Sequence, residues 1–133
     1  PRPKAKATQK KLVCEVVVVS DPRGRLLVER RTLRGKSGGM WGGLWQAPTH
    51  EHAGDVTPRG LAGLLELPAV RIGKVTLEFE HLTTHRRVLF RVRHARVPDA
   101  DTLAWPDRER RWISREDAAG LALSNPQRRI LLG

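Results

Sequence analysis

Several side chains in this sequence have types and spacings that suit chemistry. In Gly39-Met40-Trp41-Gly42-Gly43-Leu44-Trp45-Gln46-Ala47-Pro48, Trp41 and Trp45 flank a glycine pair. Glycine lacks a Cβ, so backbone there can approach a ligand closely. The plainer expectation is packing: Trp45 is assigned to the core, while Trp41 is left open between core and ligand. Arg30, Arg31, Arg34 and Lys36 lie on or beside the glycine-rich loop that precedes this segment. Farther on, Glu80-His81-Leu82-Thr83-Thr84-His85 offers hydroxyls and imidazoles, followed by Arg86 and Arg87. These groups donate and accept hydrogen bonds, although a polar hairpin loop has the same composition. Each cation alone reads as a solvated surface charge. As a set flanking one site they become candidates for phosphate contact. Carboxylates are sparse where a helix is expected: Glu66 on it, with Glu51 and Asp55 in the loop before it.

Charge supports a polyanionic partner. Lys and Arg number 25 against 14 Asp and Glu, a formal net of +11. Five of these cations (Arg2, Lys4, Lys6, Lys10 and Lys11) fall in the first eleven residues, and removing them leaves +6. Such a balance speaks about partners, and phosphate polymers match it, although an Arg-rich chain also arises from a GC-rich genome. The single cysteine, Cys14, excludes an internal disulfide and a Cys/Cys zinc or iron–sulfur site within the chain. It sits in an apolar run and is expected to be a buried small hydrophobe. No apolar stretch approaches the roughly 18 residues that span a bilayer, and no signal-peptide pattern opens the chain. A reducing cytoplasmic setting is the default expectation.

The elements that must position these residues follow from periodicity. Residues 1–11 carry two prolines and only positive charge, and read as a basic linker or tail. With no initial methionine, they suggest a fragment of a longer protein. Residues 12–133 are expected to form one domain. Leu12–Ser20 is a β-branched strand, Asp21-Pro22-Arg23-Gly24 a turn, and Arg25–Arg31 the returning strand of a hairpin. Thr32–Gly43 is a glycine loop, Leu44–Ala47 a short extended piece, and His50–Val56 a polar connection. Thr57 is expected to cap a helix with Pro58 in its first turn and Leu61, Leu64 and Leu65 at helical spacing, ended by Pro68. Val70–Glu80 and Arg86–Val97 read as a hairpin. Its second strand alternates Val88, Phe90 and Val92 with Arg87, Arg91 and Arg93, predicting a half-buried strand with a basic face. Pro98–Asp107 is an acidic loop and Arg111–Ile113 a short strand. Ser114 caps a helix with Asp117 in its first turn, and Asn125-Pro126 opens the last helix. Mixed strands and helices without strict alternation imply an α/β domain with a mixed sheet covered by helices.

The strand ending Glu29-Arg30-Arg31, the glycine loop, Trp41-Gly42-Gly43-Leu44-Trp45 and Pro48 together resemble the C-terminal domain of MutY-type adenine DNA glycosylases. The later helix, strand, histidine loop, strand, Arg111-Trp112-Ile113 and Pro126-Gln127-Arg128-Arg129-Ile130-Leu131 follow in the same order. The resemblance covers nearly the whole chain from Leu12. It implies a Nudix-type α/β/α sandwich, similar to MutT nucleotide hydrolases, and a role in reading 8-oxoguanine opposite adenine in double-stranded DNA. The adenine would be removed by an N-terminal glycosylase domain that this chain does not contain, and a 4Fe–4S cluster is implied only there. No cofactor, metal or catalytic residue is expected in this fragment. No membrane contact is expected either, and a nucleoid-associated monomer is.

A working Nudix box needs a helix with an Arg-Glu-x-x-Glu-Glu type array, whose carboxylates hold Mg²⁺. Arg59 is the candidate for its arginine, but Gly60, Gly63 and Leu64 stand at the glutamate positions, so the box reads as degenerate. The family's recognition loop carries a Phe-Ser-His-like triplet. Thr84 and His85 match its serine and histidine, and Thr83 stands where the aromatic would be. Threonine cannot wedge at a base step as an aromatic does. Two alternatives remain: a stand-alone MutT-like hydrolase of 8-oxo-dGTP, and a non-catalytic partner-binding module.

Overall fold

In the computed structural model, residues 10–30, 42–54, 58–67, 70–98 and 109–133 are described. Among the described residues, seven strands make one mixed sheet: β1 (Lys10–Ser20), β2 (Leu26–Arg30), β3 (Trp45–Gln46), β4 (Thr49–Ala53), β5 (Leu77–Leu82), β6 (Arg86–Arg96) and β7 (Arg110–Ile113). The helices among the described residues are α1 (Leu61–Leu64), α2 (Arg115–Ala118) and α3 (Asn125–Leu132). The strand order is β3-β2-β1-β6-β5, with β4 also pairing β1 and β7 pairing β2. The Val-rich β1 lies parallel to β6 over its full length, from Lys10 opposite Arg86 to Ser20 opposite Arg96.

The sheet's two faces follow from the two-residue period of its strands. On one face Cys14, Val16, Val18, Leu26, Val28, Val88, Phe90 and Val92 form a core with Trp45, Ala118, Leu123 and Leu131, covered by α2 and α3. On the other, Val17, Val19, Leu27, Ala95 and Val97 pack against Leu65 and Leu67 beside α1. Helical segments therefore cover both faces, as the expected sandwich requires. Cys14 is 1% exposed and Trp45 sits in the first core, both as their apolar contexts implied.

Four expectations change. The first strand begins at Lys10, inside the stretch read as a tail, because β6 supplies a parallel partner that far back. The polar segment at His50 is strand β4, held by antiparallel pairing to β1 from Leu12–Ala53 to Val16–Thr49. Cross-strand hydrogen bonds impose extension on a sequence with little β propensity. Val70–Glu80 is strand only from Leu77, apart from one bridge between Ile72 and Ala95. Pro58 and Arg59 are not helical, and α1 begins only after Gly60, which adopts φ +65° as N-cap. The expected cap Thr57 and stop Pro68 lie outside the described residues. The other caps form as side chains dictate: Ser114 Oγ accepts from the Asp117 N–H, and Ser124 Oγ from the Gln127 N–H, one residue before the expected start of α3.

Candidate functional site

The β5–β6 turn is closed by Thr83. Its N–H donates to the Arg86 carbonyl at 2.9 Å, and its Oγ1 accepts from the Arg86 N–H at 3.0 Å. Thr83 is thus used to build the turn. Thr84 and His85 stand at its tip, both exposed.

Strand pairing brings cations to the same end of the sheet. Lys10 is opposite Arg86 and Lys11 opposite Arg87, and Arg87 is opposite Leu82 on β5. Lys11 is exposed and Arg86 half-buried. Arg87 donates to Glu80 at 2.9 Å, with the two side chains 47% and 40% exposed. A surface pair of this kind contributes roughly 0–1 kcal/mol, so a phosphate can compete for the guanidinium. The sequence reads Lys10 and Lys11 as tail; only the parallel pairing reveals them beside the turn. Arg30 is elsewhere, on β2, with β1 between it and β6. Its Nε donates to the Gly43 carbonyl at 3.2 Å. Arg31, Arg34, Lys36 and Trp41 lie outside the described residues. Trp45 is 8% exposed and packs in the core, with the Arg111 guanidinium 4.4 Å from its ring centroid.

Below that rim the sheet face is a charged floor. Glu15, 3% exposed, receives His52 Nε2 at 2.9 Å, Arg91 Nε at 3.3 Å and Arg93 Nη1. Arg91 also bonds Glu78. Burial pushes the Glu15 carboxyl up, but hydrogen bonds from His52 and Arg93 and the charges of Arg93 and Arg91 outweigh it, leaving the pKa lowered. A cavity of about 250 Å³ opens over this cluster, with Lys11 and Pro58 also in its wall. The basic face of β6 was legible in the sequence. Its anchor was not, although a glutamate inside an otherwise apolar β-branched run was the available signal.

The opposite requirement, a cage of anions, is not met by the helix. α1 reads Leu-Ala-Gly-Leu, with no acidic residue in its first turn. Among the described residues no three His, Cys, Asp or Glu side chains gather as a metal site. The carboxylate of Glu29 accepts from Arg110 Nε at 3.0 Å, and the Arg110 side chain is fully buried. The same guanidinium donates to the Glu66 carbonyl at 3.0 Å and to the Leu65 carbonyl. Arg110 thus ties the end of the α1 segment to β2, where Glu66 holds φ +56°. A hard divalent ion takes six or more oxygens, carboxylates among them. The residues of α1 do not fit Mg²⁺.

Comparison with known proteins bears on this geometry. The family model described as NUDIX domain matches residues 15–133. Comparison with curated protein sequences finds no significant relative. Among solved structures, the chain is similar to the MutT protein from Methanosarcina mazei Go1: 18% identity, 93% of this chain and 91% of that one, TM-score 0.68. It is similar to the C-terminal domain of mouse MUTYH, solved in complex with human PCNA: 21% identity, 90% and 83% coverage, TM-score 0.70. It also resembles the E. coli dihydroneopterin triphosphate pyrophosphohydrolase: 16% identity, 90% and 91% coverage, TM-score 0.64. At these identities the structural likeness establishes the fold. The sheet, its covering helical segments and the match over residues 15–133 together place this chain in the Nudix domain family.

Proposed function

We propose that this domain binds double-stranded DNA and reads 8-oxoguanine opposite adenine, serving an adenine DNA glycosylase whose catalytic domain lies outside this chain. One observation carries the reading: Thr84 and His85 project from a turn whose strand neighbours in the sheet include Lys10, Lys11, Arg86 and Arg87. Hydroxyl and imidazole are suited to the hydrogen-bonding edge of an oxidised purine. The surrounding cations suit phosphates and supply affinity without sequence preference. The α1 segment, with no acidic residue in its first turn, supports binding over hydrolysis. The structural similarity to the mouse MUTYH C-terminal domain agrees with this reading.

Combined Thr84→Ala and His85→Ala substitution is expected to abolish preference for 8-oxoguanine:adenine duplex over undamaged duplex, at fixed salt, while leaving general duplex binding in place. Full retention of the preference in the double variant would refute the assignment. The similarity to MutT favours a second reading, hydrolysis of 8-oxo-dGTP. Turnover well above background by the pure chain with Mg²⁺ would establish that reading in place of the first.

A further inference from the structure

Beside the turn stands a side chain that the core does not explain. Leu82, the last residue of β5, is 62% exposed; the other exposed large hydrophobic among the described residues is Leu64, at 41%. A single exposed leucine is ordinary, so its position must carry the argument. β5 ends the described strand order, and its burial alternates so that Leu82 shares an outward face with Glu78 and Glu80. A charge at that edge position would guard against unwanted pairing, yet the sequence places leucine there. Across the ladder stands Arg87, and beyond it Lys11, so Lys11, Arg87 and Leu82 form one row over three strands. An apolar protein partner seated on Leu82 would have to desolvate that row of cations. Nucleic acid matches it better, because phosphates take the cations while the base stack between them offers an apolar surface. Thr83 cannot fill this role, since its hydroxyl is engaged by the Arg86 N–H.

We propose that Leu82 is the apolar contact of the turn. On a duplex it packs against the base-pair step next to the base read by Thr84 and His85, and loosens the stacking there. This rests on the DNA-reading function above. The test uses a duplex with 2-aminopurine beside 8-oxoguanine, whose fluorescence rises when its stacking loosens. The 133-residue chain is expected to raise the signal on binding. Leu82→Ala removes the rise and weakens binding about tenfold, the scale of burying one leucine side chain. Leu82→Phe retains the rise. All three proteins keep the same salt dependence and melting temperature, because Leu82 makes no phosphate contact and its side chain is not in the core.

A wild-type rise and affinity in Leu82→Ala overturn the proposal, and leave the reading standing if the Thr84/His85 double variant still loses its preference. Weaker binding with an undiminished rise also overturns it, placing the leucine against sugar and not at the base step. Absence of duplex binding by the unsubstituted chain overturns the function and this inference together.

Discussion

At the scale of single residues, the charged floor depends on Glu15. Its side chain is 4% exposed, while its partners Arg91 and Arg93 are 33% and 22% exposed. Removing the carboxylate charge takes a shared counter-ion from two partly desolvated guanidinium groups, with Glu78 still paired to Arg91. Glu15→Gln is expected to cost about 2–3 kcal/mol in denaturant unfolding, below the usual loss for a fully buried pair because water still reaches the arginines. The pH dependence follows from the same contacts. The Glu15 pKa is lowered in the folded state, as is that of Asp21, where burial is outweighed by hydrogen bonds from the Arg25 backbone and side chain. The unfolded chain therefore binds more protons below about pH 4, and stability rises with pH there. Their contribution is present above the ordinary carboxylate range and is lost as pH falls through the lowered folded-state values. Thermal melts from pH 7 to pH 2 should show that loss, and Glu15→Gln should flatten it. An unchanged acid limb in the variant would mean that Glu15 is not one of the groups responsible.

At the scale of elements, α1 is the informative piece. It is one turn long, with Gly63 inside it and Gly60 at its start. A Cβ at Gly63 meets nothing within 4 Å, whereas Gly60 holds φ +65°. Gly63→Ala is therefore expected to stabilise the fold by roughly 0.5–1 kcal/mol through helix propensity. Gly60→Ala should destabilise by about 1 kcal/mol through its left-handed backbone. The reverse signs in urea titrations, Gly63→Ala destabilising and Gly60→Ala stabilising, would contradict the short, glycine-capped helix. The expected amphipathic helix was only partly legible. Leu65 is fully buried, but Leu64 is exposed, because a single turn cannot turn all three leucines toward the sheet. β4 was not legible at all, since its His and Glu residues carry no strand signal and its extension comes from pairing with β1.

For the molecule as a whole, the basic excess becomes a question of placement. If the row at the β5–β6 turn meets phosphates, Lys11→Ala and Arg87→Ala should each lower the slope of log affinity against log salt by about 0.9. Arg115→Ala and Arg128→Ala, on the helices that cover the other face, should leave it unchanged. Equal effects from both pairs would indicate diffuse attraction without a defined surface.

The sequence alone determined the alternation of β6, the apolar run of β1, the Ser114 cap and the poverty of carboxylates around α1. Each is a local property, set by side-chain period or by residue type at one position. Tertiary structure decided what lies beside what. Lys10 and Lys11 became neighbours of Arg86 and Arg87 through a parallel pairing that joins positions about 76 residues apart. Glu15, His52 and Arg93 met because β1 takes β4 on one side and β6 on the other. Such contacts leave no periodic trace in the chain, because their spacing is set by the sheet's register and not by the repeat of any one strand.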